Sequence, residues 1–349
     1  MKLSNFYYEL PQSLIAQFPT KERDDSRLLV VDRKTGQMEM TTFKHIVDYF
    51  DNRDVFVVNN SKVFPSRLYG KKEKTGALIE ISLLRELNRN GFLWDTLVEP
   101  ARKIRVGNKI YFEDGDRLVA EVIDNTTSRG RTIKFLWEGS FESFKEYVFE
   151  IGEMPIPKYL KRPNAPIDNE RYNTIFSKKE GSVVIPSAGS HFSEKLVKEC
   201  EISGIRFAEI TLHQSISCLR PLEVEDISKH KMDAEFYEIN NDACKLVNDA
   251  LSRKKRICAV GTTTMRALES SFTSSGQLKP SEGWTNRFIF PYYDFQIADS
   301  LITNFHQPKT PLYILTSAFL GIELTKEVYA KAIKEKFRFL CYGDALLVI

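Results

Sequence analysis

KIYFEDGDRLVAEVIDNTTSRGRTIKFLW, residues 109–137, is the stretch on which the fold turns. Lys109–Phe112, Leu118–Ile123 and Thr132–Trp137 are short runs rich in β-branched and aromatic side chains, which suit a pleated, half-buried surface. Between them, Glu113-Asp114-Gly115-Asp116 and the Asn125 to Gly130 stretch carry turn chemistry. Upstream, Ala77–Leu84 and Leu93–Val98 have the same texture. From Lys62 to about Glu153 the chain therefore reads as all-β, and the spacing of its runs suits a small antiparallel barrel.

Beyond Pro155 the texture changes. Strand-like runs now alternate with segments whose apolar residues recur three and four positions apart, the signature of helices layered on a sheet. Ser193 is placed to cap a helix carrying Leu196, Val197 and Cys200 on one stripe, with Gly204 as its stop. Phe207 to His213 follows as a strand. Asn241 to Lys255 repeats the helix, with Ala243, Leu246, Val247, Ala250 and Leu251 on one face, before the strand Ile257 to Val260. Met1 to Asn59 has the same mixed character and ends in the strand-like Asp54-Val55-Phe56-Val57-Val58. The expected fold is an α/β main domain, a layered mixed sheet with helices, into which a small antiparallel β-barrel domain is inserted. The main domain would comprise residues 1–60 plus 154–349, and the insert residues 61–153.

A chain of 349 residues exceeds the size at which one core stops growing, which agrees with two domains. Its 50 basic and 47 acidic residues give +3, so any nucleic-acid contact must come from a local patch. Three basic clusters of the β segment are candidates for such a patch or for plain solvated surface: Arg67, Lys71, Lys72 and Lys74; Arg102, Lys103 and Arg105; Arg129 and Arg131. The five cysteines form no C-x-x-C pair, which argues against a zinc cluster and a disulfide framework and for reduced core thiols. No stretch reaches the roughly 18 apolar residues of a membrane span, so the expected compartment is the cytoplasm. The glycine-rich nucleotide motifs, H-E-x-x-H and G-x-S-x-G are all missing, which removes the common dinucleotide, nucleotide, zinc-protease and hydrolase readings.

Five segments of the second half could carry chemistry. Ile185-Pro186-Ser187-Ala188-Gly189-Ser190-His191 is a small-residue turn just before a helix start, suited to a polar ligand group or simply a tight loop. Glu209-Ile210-Thr211-Leu212-His213 puts a histidine at a strand end, where α/β proteins hold ligands and where structural histidines also sit. His230-Lys231-Met232-Asp233-Ala234-Glu235 gathers an imidazole and two carboxylates, a set for acid-base work or a solvated face. Gly261-Thr262-Thr263-Thr264-Met265-Arg266, with Glu269 beyond, is a glycine turn into a hydroxyl-rich helix start that cradles an anionic group or merely caps well. Asn304-Phe305-His306 ends another strand, with an asparagine suited to an adenine edge and a phenylalanine that stacking or core packing explains equally.

In this order, these segments resemble the S-adenosylmethionine:tRNA ribosyltransferase-isomerase family of queuosine biosynthesis. The resemblance spans nearly the whole chain. It takes in Tyr8-Glu9-Leu10-Pro11, the run Arg23 to Leu28 that contains Arg27, the run Asn59 to Leu68 that contains Arg67, Gly152 to Pro157, Arg171-Tyr172-Asn173-Thr174, Phe337-Arg338-Phe339 and Tyr342 to Ala345. It implies an α/β domain with an inserted barrel. It also implies that the donor is S-adenosylmethionine, consumed as a substrate, and that no metal or bound redox cofactor and no obligate protein partner takes part. Its ribosyl unit passes to the 7-aminomethyl group of a 7-deazaguanine in tRNA and rearranges to epoxyqueuosine, while adenine and methionine leave.

The candidate catalytic residues are then His191, His213, His230 and Glu235, and the candidate substrate-binding residues Arg27, Asn59, Arg67, Ser187, Gly189, Gly261, Thr262, Thr263, Arg266, Glu269, Asn304 and His306. A sulfonium acidifies the carbon beside it, so ring formation calls for a base titrating near neutrality. His191 or His213 suits that step, with Glu235 and Asp233 to orient an imidazole or protonate adenine, or to be the base themselves if burial raises their pKa. Arg266 would hold the donor or a tRNA phosphate. The chain departs from the family pattern at Ser187, Ser190 and Ser193, at Gln214, Ser215 and Ser217 in place of a glycine-rich run, and at Asp233, Asn286, Tyr292 and Gln307. The loop after His213 is therefore expected to differ in shape. Rival readings are a tRNA-binding relative with weakened catalysis and a conventional methyltransferase; the latter lacks its glycine-rich strand-to-helix turn.

Overall fold

The structure is a computed structural model that describes residues 1–113, 116–127 and 129–349. Asp114 and Gly115 of the first turn named above, and Ser128 of the second, lie outside the described residues. Strands β1 (Arg27–Val31), β2 (Met38–Thr42), β3 (Val55–Asn59) and β4 (Ser61–Val63) precede the barrel. The barrel strands are β5 (Arg67–Lys72), β6 (Leu78–Asn88), β7 (Leu93–Glu99), β8 (Lys109–Phe112), β9 (Val119–Asn125) and β10 (Gly130–Leu136). Helices α1 (Phe141–Ile151) and α2 (Pro166–Arg171) and strand β11 (Lys179–Ser182) lead back to the main domain. There follow α3 (Glu194–Ile202), β12 (Arg206–Leu212), β13 (Glu235–Ile239), α4 (Asn241–Ser252), β14 (Ile257–Val260), α5 (Thr262–Leu268), β15 (Ser281–Thr285), β16 (Ser300–Asn304), α6 (Pro311–Leu320), α7 (Ile322–Lys334) and β17 (Ala345–Val348).

Nine strands make one mixed sheet in the order β15-β13-β12-β3-β14-β16-β17-β1-β2. Its centre is the parallel run β12, β3, β14 and β16. Strands β3, β14 and β16 are buried at every position because helices and turns cover both faces. On one face α4, α5, α6 and α7 pack around Val247, Met265, Tyr313 and Val328; on the other, α3 and the 3₁₀ turn Phe43–Tyr49 pack around Phe56 and Phe192. Burying one such large apolar side chain contributes about 1.5–3 kcal/mol.

The six barrel strands close antiparallel around Leu68, Ile81, Ile110, Val122, Ile133 and Phe135. The segment expected to be β throughout to Glu153 in fact contains a helix, α1, which Ser140 caps by accepting a hydrogen bond from Ser143 N (3.1 Å). Phe144, Tyr147 and Val148 recur at helical spacing and pack on the barrel core, so the amphipathic period overrides the β texture around it. Ser193 caps α3 through Leu196 N (3.0 Å), and Asn240 caps α4 through Ala243 N (2.8 Å).

Candidate functional site

Because β12, β3, β14 and β16 run parallel, their carboxyl ends meet along one edge, the place where open α/β sheets bind ligands. Asn59 closes β3 there. Its Nδ2 donates to Leu212 O (2.9 Å) and Thr263 Oγ1 (3.2 Å), while its Oδ1 accepts from Ser61 N (3.0 Å) and Leu212 N (3.1 Å). The amide is fully committed to latching β12 and α5 to β3. Asn59 shapes the site and has no group left for a substrate.

Two clefts open at this edge. The first is narrow and is walled by Ser187, Gly261, Thr262, Thr263, Asn304 and His306 together with Gln214, Cys218 and Tyr159. It thus collects six of the candidate substrate-binding residues from three separate segments. Gly261 takes φ +103 at the turn from β14 into α5. His306 is buried, with Nε2 on Thr303 Oγ1 (2.7 Å), and burial lowers its pKa to about 3. Burial holds the Cys218 thiol well above its ordinary pKa. Behind this cleft lies His191, its Nδ1 2.7 Å from Ser26 Oγ and its ring against Phe43. Burial lowers its pKa to about 3 despite the neighbouring Asn304, so the ring is neutral. A side-chain hydrogen bond links it to Asn304, so the two buried groups face each other.

The second cleft is a groove of about 2430 Å³ up to its mouth, between the barrel with α1 on one side and β13, β15 and the His213 loop on the other. His213, Glu235 and Asp233 face it, as do Trp94, Trp284, Arg85, Arg89, Lys145 and Arg220. Gln214 lines both clefts, so they adjoin at this residue. His213 is half-buried. Its Nδ1 lies 2.7 Å from Ser61 Oγ, and its ring stacks on Phe236 with centroids 5.6 Å apart. Burial first, then the charge of Lys179, lowers its pKa to about 4, so the expectation of a ring titrating near neutrality is not met. At neutral pH the ring is uncharged and free to accept a proton, but a weaker base than an ordinary imidazole. Gly181 presses on the same ring: a Cβ there would lie 2.6 Å from His213 Nε2.

Several candidates lie elsewhere or already have partners. The buried Glu235 pairs with Arg266 Nη1, and its other oxygen accepts from Ser215 N (2.6 Å). Arg266 gives Nε to Arg287 O (3.0 Å) and Nη2 to Thr285 O (3.4 Å). The guanidinium expected to hold donor or phosphate is instead enclosed by protein acceptors. The pair fixes the loop after His213 to α5. Glu269 accepts from Gln296 N, Ile297 N and Tyr293 OH, each at 3.1 Å, and pins the segment 293–297 that precedes β16. His230 packs on Phe288 (4.8 Å) and lines neither cleft. Arg27 lies over Phe337 and donates to Glu335 O (2.8 Å). Arg67 donates to Ile156 O (2.7 Å), stapling the barrel to the main domain, and Gly189 packs against Thr174. Arg131 donates to Ala101 O and Ile104 O, so it too is internal. The loop after His213 accommodates serine without strain, since none of Gln214 to Ser217 takes positive φ.

Sequence reasoning does not single out Ser26, Ser61, Gly181, Trp94 or Trp284. Ser26 and Ser61 sit inside segments that carry the family resemblance, but nothing in spacing links a serine to a histidine more than 150 positions away. Among the described residues no group of three or more His, Cys, Asp or Glu side chains is placed to hold a metal ion, and no helix is long and apolar enough to cross a membrane. All five cysteines are free and buried.

Fold and site together define a mixed α/β protein with an appended barrel and a two-compartment site, one small and one large enough for a macromolecular segment. The sequence model of the queuosine biosynthesis protein family matches residues 3–348. Relatives named S-adenosylmethionine:tRNA ribosyltransferase-isomerase align over 349 residues, at 59% identity in Flavobacterium psychrophilum and 54% in Phocaeicola vulgatus. The alignments cover all of this chain and 100% and 99% of the two relatives. The crystal structure of S-adenosylmethionine tRNA ribosyltransferase from Thermotoga maritima is similar at 32% identity with a TM-score of 0.56, covering 99% of this chain and 100% of that one. The chain belongs to the queuosine biosynthesis protein family.

Proposed function

We propose that the chain is a tRNA-modifying transferase-isomerase that moves the ribosyl moiety of S-adenosylmethionine to the 7-aminomethyl-7-deazaguanine base of tRNA, giving epoxyqueuosine and releasing adenine and methionine. The observation that carries this reading is the meeting of two unlike clefts at Gln214. The smaller suits a nucleoside donor. The groove suits a base presented on a nucleic acid, with Trp94 and Trp284 to stack on and Arg85, Arg89 and Arg220 to meet phosphate. The full-length relationship to proteins named for this reaction supports the same reading.

In this reading residues 61–153 form the barrel unit that borders the tRNA groove, and residues 1–60 with 154–349 form the catalytic unit. His213 is the base that takes the proton beside the sulfonium. It faces the groove next to the junction, whereas His191 is wholly enclosed. Ser61 orients His213, and the Glu235–Arg266 pair positions the loop that follows it. The reaction runs in the cytoplasm on polar groups of the chain, with S-adenosylmethionine as substrate.

The test is to mix the protein with precursor tRNA and donor labelled in its ribose, digest the tRNA and weigh the nucleosides. Label in a product with the mass of epoxyqueuosine, with one adenine released per transfer, is the expected result. Label confined to small molecules, or a methyl group added in its place, would refute the reading.

A further inference from the structure

Gln214 stands where the two clefts adjoin and is only 4% exposed. Three of its polar groups are already engaged. Its backbone N donates to Ser182 Oγ (3.0 Å), its backbone O accepts from Val183 N (3.3 Å), and its side-chain Nε2 donates to Cys218 Sγ (2.8 Å). The thiol fixes which way the amide is turned. Cys218 Sγ gives its own hydrogen to Ser215 O (2.9 Å), and burial keeps the thiol protonated, so toward Gln214 the sulfur can only accept. The NH2 end of the amide therefore faces the sulfur, and the carbonyl end is left over. Among the described residues nothing donates to Oε1. Native structures leave few such enclosed acceptors unpaired, because each costs stability.

The polar groups around it are taken. The hydroxyls of Ser215 and Ser217 bond each other (2.7 Å), both oxygens of Glu235 are held by Ser215 N and Arg266, and Thr263 Oγ1 accepts from Asn59. Gln214 Oε1 is thus a rigidly held, unused acceptor at the point where the smaller cleft meets the groove.

We infer that Gln214 Oε1 accepts a hydrogen bond from the 7-aminomethyl group of the tRNA base and holds that amine at the junction for transfer. The inference rests on the function proposed above. Two kinds of donor group come near the junction in that reading, the ribose hydroxyls of S-adenosylmethionine and the amine of the base. The hydroxyls stay with the donor in the smaller cleft, where Ser187 and Thr262 line the wall. The amine enters from the groove and has to reach the donor, so it is the group that passes from one cleft to the other, and Gln214 borders both. An amine that gives one hydrogen to Oε1 keeps its lone pair free. A neutral acceptor also favours the ammonium form less than a carboxylate would, and only the unprotonated amine has a lone pair to give.

Two tRNAs supply the test: precursor tRNA carrying the 7-aminomethyl base, and the same tRNA with guanine in its place. One net hydrogen bond is worth about 2- to 12-fold in affinity, so the unaltered protein is expected to bind the precursor about fivefold tighter. Gln214→Met, close to glutamine in length, should lose this preference while binding the guanine tRNA as the parent does. Its kcat should fall about tenfold with the KM for S-adenosylmethionine unchanged. A purely structural role would weaken both tRNAs alike, and that result would overturn the inference. So would equal affinity of the unaltered protein for the two tRNAs, or a preference retained by folded Gln214→Met. A raised KM for S-adenosylmethionine with the preference intact would place Gln214 on the ribose instead. If Gln214→Met does not fold, Cys218→Ala decides in its place: it keeps Gln214 but frees its amide, and an unchanged preference there would overturn the inference. All of these outcomes leave the transfer reaction standing, whereas absence of transfer by the unaltered protein would overturn the function and the inference together.

Discussion

Substituting Gly181 by alanine tests whether His213 works where the fold holds it. The new Cβ would lie 2.6 Å from both Cδ2 and Nε2 of the imidazole and 2.9 Å from Cε1. Ordinary contact begins at 3.4 Å, so the ring has to retreat by about 0.8 Å. It cannot do so freely, because Ser61 holds Nδ1 at 2.7 Å and Phe236 stacks on the ring. Gly181 also takes φ +148, which alanine adopts only with strain. Overpacking of this kind costs about 1–3 kcal/mol of stability. A misplacement of about 1 Å can lower turnover by about 100-fold. Gly181→Ala is therefore expected to reduce kcat roughly 10- to 100-fold, with the KM for S-adenosylmethionine little changed, since Gly181 does not border the smaller cleft. Adenine release from S-adenosylmethionine in the presence of precursor tRNA measures this. Adding Phe236→Leu, which opens space beside the ring, should restore part of the loss. A well-folded Gly181→Ala protein with kcat within twofold of the parent would refute the assignment of His213.

His213→Gln should lower turnover about 100-fold or more while S-adenosylmethionine binding by calorimetry is retained, whereas His230→Gln should change turnover less than about threefold. A base is active when unprotonated, and the pKa of His213 is about 4. Turnover should therefore stay level as pH falls from 8 to about 5 and decline below about 4; a decline centred near 6.5 would mean the ring is not desolvated as placed. Folded-state pKa values near 3 for His191 and His306 lie below that of the unfolded chain, so the unfolded state takes up protons first. Stability against urea should then be full above about pH 6.5 and be lost as pH falls toward 3. Charge reversal of Arg85, Arg89 and Arg220 in the groove should weaken tRNA binding and reduce its salt slope by about 0.7 to 0.9 for each phosphate no longer neutralised, while Arg131→Gln should destabilise the barrel without changing that slope.

The fold is legible wherever local pattern and tertiary environment agree. Lys109–Phe112 is a strand with the bounds its composition predicts, and α3 and α4 begin at Ser193 and Asn240 because a side-chain oxygen satisfies a free N–H. Strands β13 and β15 are not legible. Glu235–Ile239 carries two carboxylates and is held between β12 and β15, and Ser281–Thr285 contains a glycine and holds its place by pairing with β13 rather than by propensity. Helix α1 is hidden for the opposite reason: Phe144, Tyr147 and Val148 have strand-like composition, and only their spacing marks a helix. The departures from the family pattern also separate by backbone. Ser215 and Ser217 lie in negative-φ positions where serine is at ease, whereas Tyr292 takes φ +74, a conformation that favours glycine, and is 92% exposed.

At the site, the sequence places reactive residue types at strand ends, but it cannot say which of their atoms remain free. Arg266 reads in the sequence as a substrate contact and Glu235 as a catalytic acid, yet each is the other's partner inside the protein. Asn59 and Asn304 end neighbouring regions of one sheet edge with the same side chain, but Asn59 latches β12 and α5 to β3, whereas Asn304 donates to Leu340 O and faces His191. The histidines divide on the same ground. Each of His191 and His213 has Nδ1 beside a serine hydroxyl, and burial keeps both neutral. What separates them is where the second nitrogen faces: His191 Nε2 is sealed beside Asn304, and the His213 ring borders the open groove. A sealed ring has no path along which to hand on a proton. A ring at an open groove can exchange a proton with solvent between turnovers, and this is why we propose His213 rather than His191 as the base.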